Sequence, residues 1–187
     1  MPDAYAPYLQ EVLLGEETLQ ARIRELGCQI SSDYENSEKL VLICILKGGV
    51  MFLTDLMRHI RIPHEIDFLA VSSYGRGVRE STGNVRIDMD LSTRIQDYDV
   101  LIVEDIIDSG HTLRFVMDML LARKPASLRL CTLLNKASRR TVEIPVDYTG
   151  FEIEDKFVFG YGLDLDEKFR NLPFIGVVRL DALNNHD

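Results

Sequence analysis

Short, mostly apolar runs, each stopping at a polar loop, set the rhythm of this chain. Val41-Leu42-Ile43-Cys44-Ile45-Leu46 ends in Lys47-Gly48-Gly49, and Val100-Leu101-Ile102-Val103 stops at Glu104-Asp105. The run from Leu128 to Leu134 ends in Asn135-Lys136. Such runs, the first two rich in β-branched residues, predict strands buried on both faces. Between them the spacing changes. Leu19, Ile23, Leu26 and Ile30 recur at helical intervals and predict a helix from Glu16 to about Tyr34, with acids early to suit its positive end. Val50 to His59 predicts a second helix. A third follows Asp108-Ser109-Gly110-His111-Thr112 and runs to about Arg123, where Pro125 stops it. Ile66 to Ser73 is β-rich and Val85 to Leu91 alternates. The polar stretch between them, around Tyr74-Gly75-Arg76-Gly77, predicts a mobile loop inside a β-hairpin. Val146 to Gly150, Phe157 to Tyr161 and Ile175 to Val178 are shorter strand-like pieces. Strands alternating with helices predict an α/β fold, a central, mostly parallel sheet flanked by helices on both faces. Residues 1–15, with Pro2 and Pro7, read as an irregular lead-in. Together with about 150–187 they are expected to form a small hood or lid on a single domain spanning 1–187.

Composition narrows the partners. At 187 residues, 46% hydrophobic and 27% charged, the chain is long and apolar enough to bury a core. A formal net charge of −9 argues against nucleic acid, which wants a basic surface. Cys28, Cys44 and Cys131 are odd in number and widely spaced, so reduced thiols are expected rather than disulfides or zinc. No segment approaches the roughly 18 apolar residues of a membrane helix. The first residues lack a basic, apolar leader, and the expected location is the cytoplasm.

If the sheet is parallel, the three polar strand ends share one edge, where open α/β sheets bind ligands. Backbone N–H groups at a helix start suit a phosphate, Gly110 allows close approach, and the Ser109 and Thr112 hydroxyls add donors. A plain N-cap would explain the same residues. Glu104 and Asp105 change the balance. Two carboxylates at the end of a buried strand repel each other and are costly to desolvate. They make sense if they accept hydrogen bonds from a diol or sit beside a cation, although a solvated acidic loop remains the bland alternative. A phosphate cradle and a diol acceptor a few residues apart describe a ribose 5-phosphate site.

Val100 to Leu113 resembles the phosphoribosyl-pyrophosphate signature of type I phosphoribosyltransferases. The resemblance extends over nearly the whole chain to the hypoxanthine-guanine phosphoribosyltransferases, especially the bacterial form. It is carried by Leu46-Lys47-Gly48-Gly49, Ser72-Ser73-Tyr74-Gly75, Asn135-Lys136, the segment Asp155 to Asp164, and Phe169-Arg170. It implies the type I phosphoribosyltransferase fold and transfer of a phosphoribosyl group to N9 of hypoxanthine or guanine, with magnesium as cofactor. Glu104 and Asp105 would hold the ribose 2′- and 3′-hydroxyls, partly through the metal, with Asp164 as a further metal ligand. Asp108 would lie by the purine imidazole nitrogens as general base, and Ser109, Gly110, His111 and Thr112 would bind the 5-phosphate. Leu46, Lys47 and Gly48 resemble the pyrophosphate loop, where the family has a cis non-proline peptide, and Arg170 would join Lys47 in meeting that charge. Ser73 and Tyr74 resemble the lid. Lys136 would donate to the 6-oxo group, Phe157 would stack on the base, Val158 would read its remaining edge, and Ile106 and Leu163 would complete the purine pocket. Each has a plainer alternative: a surface lysine for Lys136, a core aromatic for Phe157, ordinary packing for Ile106.

The chemistry agrees with that assignment. Displacing pyrophosphate from an anomeric carbon passes through an oxocarbenium-like transition state, as in glycosidases. The leaving group needs its charge met, and the sugar cation must be kept from water. Two other functions remain open at this point: a phosphoribosyltransferase preferring xanthine or guanine, and a non-catalytic regulator that senses phosphoribosyl pyrophosphate. The resemblance also implies a homodimer or homotetramer.

Overall fold

The computed structural model describes residues 3–73 and 85–182. In chain order it comprises β1 (Leu9–Leu14), α1 (Glu16–Asp33), β2 (Leu40–Leu46), α2 (Val50–Met57), β3 (Glu65–Ser73), β4 (Val85–Met89) and β5 (Asp99–Ile107). There follow α3 (His111–Leu121), β6 (Ser127–Asn135), β7 (Tyr148–Glu152), β8 (Val158–Phe159) and β9 (Ile175–Val178). Six strands form one sheet in the order β4-β3-β2-β5-β6-β7, parallel throughout except for the antiparallel edge strand β4. The α/β expectation holds.

The apolar runs form the middle of that sheet because both of its faces are covered. Leu40, Leu42 and Cys44 of β2 join the core built with α1 and α2. Val41, Ile43 and Ile45 join the core built with Leu113, Val116, Met117 and Leu120 of α3. Each fully buried aliphatic side chain contributes roughly 1.5–3 kcal/mol, so a strand apolar at every position is strongly specified for this interior. Cys44 and Cys131 are buried free thiols, as expected, while Cys28 is exposed. Burial pushes the Cys44 thiol up to about 12, which leaves it protonated and inert.

Four boundaries depart from the sequence pattern. Strand β5 does not stop at Val103. Pairing with β6 continues through Glu104↔Thr132 and Ile106↔Leu134 to Ile107↔Asn135, so both acids belong to the strand. Inter-strand hydrogen bonds there outweigh the break in apolar character. Strand β7 lies later than Val146–Gly150 and runs to Glu152, so that part of the expected hood belongs to the large sheet. The expected irregular lead-in contains β1, which pairs antiparallel with β9 in a second sheet of order β1-β9-β8. Finally, α3 ends at Leu121, before Pro125 is reached. β3 and β4 do pair antiparallel, as the hairpin pattern predicts. The lid residue Tyr74 lies outside the described residues, as does the side chain of Ser73 at the end of β3. No helix among the described residues is long and apolar enough to cross a membrane.

Candidate active site

Parallel pairing brings the carboxyl ends of β2, β5 and β6 to one edge, and the second sheet lies against it. Two cavities among the described residues open there. One, of about 190 Å³, is lined by Glu104, Ile106, Ile107, Asp108, Ser109, Gly110, Thr112 and Leu113. The other, of about 280 Å³, is lined by Asp105, Ile106, Asp108, Lys136, Phe157, Val158, Leu163 and Asp164. Ile106 and Asp108 line both. Every residue assigned to the purine lies on the second cavity; Ser109, Gly110 and Thr112 of the phosphate group lie on the first. His111 lines neither, and its Nε2 lies 3.1 Å from Thr141 Oγ1.

The turn before α3 is shaped for an anion. Gly110 is the N-cap residue at φ +93°, a left-handed conformation that favours glycine, and no side chain caps the helix. The plain N-cap alternative therefore fails, and among the described residues the first N–H groups of the helix have no capping side chain. The carbonyl of Ser109 is fixed from outside the turn, accepting from the backbone N–H groups of Thr141 at 3.1 Å and Val142 at 3.3 Å.

Glu104 and Asp105, adjacent on a strand, face different cavities, as alternation requires. Glu104 Oε2 is buried and has no hydrogen-bond donor among the described residues. Burial, reinforced by the charge of Asp105, holds the Glu104 carboxyl well above the usual range. Asp105 is pushed up to about 6, chiefly by burial and against the Ile106 N–H and the Arg170 guanidinium. A buried carboxylate oxygen without a partner is costly and points to an absent donor or cation. Among the described residues no three His, Cys, Asp or Glu side chains gather as a metal cage, so Glu104, Asp105 and Asp164 are not a ready-made three-ligand site. Magnesium does not need one. It keeps waters and binds through one or two carboxylates plus substrate phosphates, and the donor set here fits that habit.

These shifts have a consequence for stability. The unfolded pKa of Asp105 is near 3.8 and the folded value about 6, so between those values the folded chain holds a proton that the unfolded chain has lost. Stability therefore falls as pH rises through about 4 to 6, and Glu104 extends the trend upward. Asp105→Asn removes the Asp105 part of the slope and raises stability at neutral pH by about 1–3 kcal/mol. Thermal melts of both proteins from pH 4 to 8 check this, and an identical slope in the variant refutes it.

The β2–α2 loop carries a cis Leu46–Lys47 peptide, as the resemblance implies. Gly48 lies directly against Asp105, and a Cβ there would collide with the carboxylate. Lys47 Nζ is 2.8 Å from Glu167 Oε2. Arg170 donates from Nη1 to the Gly162 carbonyl at 2.8 Å, and its Nη2 pairs with Asp164 Oδ1 at 2.9 Å. Lys136, far from being a surface lysine, has a side chain only 8% exposed, with Nζ 3.6 Å from Asp155 Oδ1. Phe157, far from being a core aromatic, is 50% exposed at the mouth of its cavity.

Sequence inspection passed over two arginines. Arg139 Nε donates to Asp108 Oδ1 at 3.1 Å and its Nη1 lies 3.5 Å from Asp155. Arg140 donates to the Asp108 carbonyl at 3.3 Å and also to Asn135 Oδ1. The available signal was their position, three and four residues beyond Lys136 at the same sheet edge.

A sheet edge that joins an anion cradle to a pocket walled by Phe157, Val158 and Leu163 is the arrangement of a nucleotide-forming transferase. The profile of the phosphoribosyl transferase domain family matches residues 13–168, and the chain belongs to that family. Its relatives narrow the class. The hypoxanthine phosphoribosyltransferase of Salmonella typhimurium is 50% identical over 91% of this chain and 97% of its own length. The crystal structure of a hypoxanthine phosphoribosyltransferase from Staphylococcus aureus superposes with a TM-score of 0.92 at 46% identity, covering 97% of each chain. A hypoxanthine-guanine phosphoribosyltransferase from Bacillus anthracis gives a TM-score of 0.85 at 44% identity, over 91% of this chain and 98% of that one.

Proposed function

We propose that this chain is a purine-salvage enzyme that transfers the 5-phosphoribosyl group from phosphoribosyl pyrophosphate to N9 of hypoxanthine, and also of guanine. The products are IMP or GMP and pyrophosphate. The observation that carries this is the pair of cavities sharing Asp108 and Ile106. A sugar joining a phosphate in the first to a base in the second must pass Asp108.

The division of labour follows. The start of α3, with Ser109 and Thr112, binds the 5-phosphate. Glu104 and Asp105 accept from the ribose hydroxyls, which supplies the donor that Glu104 Oε2 lacks. Lys136 donates to the 6-oxo group, Phe157 stacks on the ring, and Asp108 takes the proton from the attacking purine. Lys47 and Arg170 meet the charge growing on pyrophosphate. Asp164, with Glu104 and Asp105 through the sugar diol, would hold magnesium, which neutralises phosphate charge when bound. The second sheet serves as the hood of a single working unit. Exposed Ile66, Ile87 and Met89 on β3 and β4 support a homo-oligomer. Free cysteines and phosphorylated substrates suit the cytoplasm.

Steady-state kinetics with hypoxanthine, guanine and xanthine, with and without magnesium, test this reading. Turnover of hypoxanthine that requires magnesium is expected, and no turnover of any 6-oxopurine overturns it. In the same assay Lys136→Ala raises KM for the purine by about 10- to 100-fold, the scale of a charged hydrogen bond. KM for the sugar substrate changes little. Equal losses on both substrates count against base reading.

A further inference from the structure

Glu167 lies where the proposed mechanism needs the substrate's charge rather than the protein's. Its Oε2 is 2.8 Å from Lys47 Nζ and 3.4 Å from Arg170 Nη2, so one carboxylate oxygen spans both pyrophosphate cations. The two cations come from segments far apart in sequence, and Glu167 is the ion-pair partner of Lys47 among the described residues. The backbone holds it there. Leu165 and Lys168 exchange two backbone hydrogen bonds at 3.1 Å, leaving Asp166 and Glu167 as the central residues of a tight turn. Both have positive φ, +52° and +61°, the mark of a type I′ turn. Glycine or asparagine suits that second position, and glutamate does not. The Glu167 N–H also donates to Asp164 Oδ2 at 2.9 Å, tying the turn to Asp164 on the purine cavity.

We propose that Glu167 is an internal counter-anion that holds Lys47 and Arg170 together in the free protein and gives way to the pyrophosphate group of the sugar substrate. The inference rests on the function proposed above. It makes Glu167 a positioning residue with two opposed effects. It keeps a lysine and an arginine of like charge close without substrate, and it competes with the substrate for them. Lys47 and Glu167 are both about two-thirds exposed, so the pair is weak enough to open without a large barrier.

Titration calorimetry of magnesium pyrophosphate into the full chain and into Glu167→Gln tests it. Pyrophosphate is expected to bind the variant about two- to fivefold more tightly, the range of an exposed ion pair. Affinity for inosine 5′-monophosphate, which lacks the pyrophosphate group, stays unchanged. The gain shrinks when Lys47 is already alanine. Pyrophosphate affinity that is unchanged or weaker in Glu167→Gln overturns the proposal. An equal gain for the monophosphate overturns it too, because that is a general charge effect. Failure of the unsubstituted protein to convert phosphoribosyl pyrophosphate and hypoxanthine instead overturns the functional reading itself. Thermal melts of Glu167→Gln confirm that the variant is folded.

Discussion

Asp108→Asn lowers kcat by about 10²–10⁴-fold and leaves binding of phosphoribosyl pyrophosphate nearly intact. The magnitude is that of losing a general base, because asparagine keeps the shape but cannot take the purine proton. Asp108 is suited to the role by position, as it lines both cavities at the point where sugar must join base. Its ion pair with Arg139 is between half-exposed side chains and contributes at most about 1 kcal/mol. A large loss of rate cannot then be traced to unfolding, and a melt of the variant separates the two. Turnover at the original rate refutes the assignment.

Gly48→Ala is the second large effect, and it acts through space alone. Its Cβ must displace the Asp105 carboxylate, and the Gly48 carbonyl is itself hemmed in by Gly162. Overpacking of this kind costs about 1–3 kcal/mol. Because the collision is with a side chain assigned to the sugar, the cost appears in substrate binding, and KM for phosphoribosyl pyrophosphate rises by about 10- to 100-fold. Initial-rate kinetics beside thermal melts check it. A lowered melting temperature with unchanged KM shows that the loop, not Asp105, absorbs the strain.

The large sheet was legible in the chain because strands buried on both faces leave unbroken apolar runs, and both cores confirm them. The second sheet was not. β1 has exposed and half-buried positions that resemble a loop, and its strand character comes from pairing with β9, which local pattern cannot report. The same limit explains β5, where Glu104 and Asp105 look like a strand end but pair onward into β6. In the site, residues drawn from a recognisable signature met at the expected edge. Lys136 and Phe157 could be weighed against plainer roles only when burial was known, since one proved buried and the other exposed. Arg139, Arg140 and Glu167 were missed because their importance lies in partners distant in sequence. A glutamate in an acidic hairpin turn looks like solvated surface until Lys47 is found beside it.

The order of the small sheet governs when the enzyme can become whole. β9 lies between β1 and β8 and follows both in sequence, so the middle strand of that sheet leaves the ribosome after its two neighbours. Leu9 is made long before Val178, its partner across the ladder. The large sheet and the turn before α3 are complete in sequence by Glu152, and can be organised while the small sheet, with Phe157 and Val158, is still being synthesised. A nascent chain therefore completes the cavity at the start of α3 before it completes the one walled by Phe157, Val158, Leu163 and Asp164.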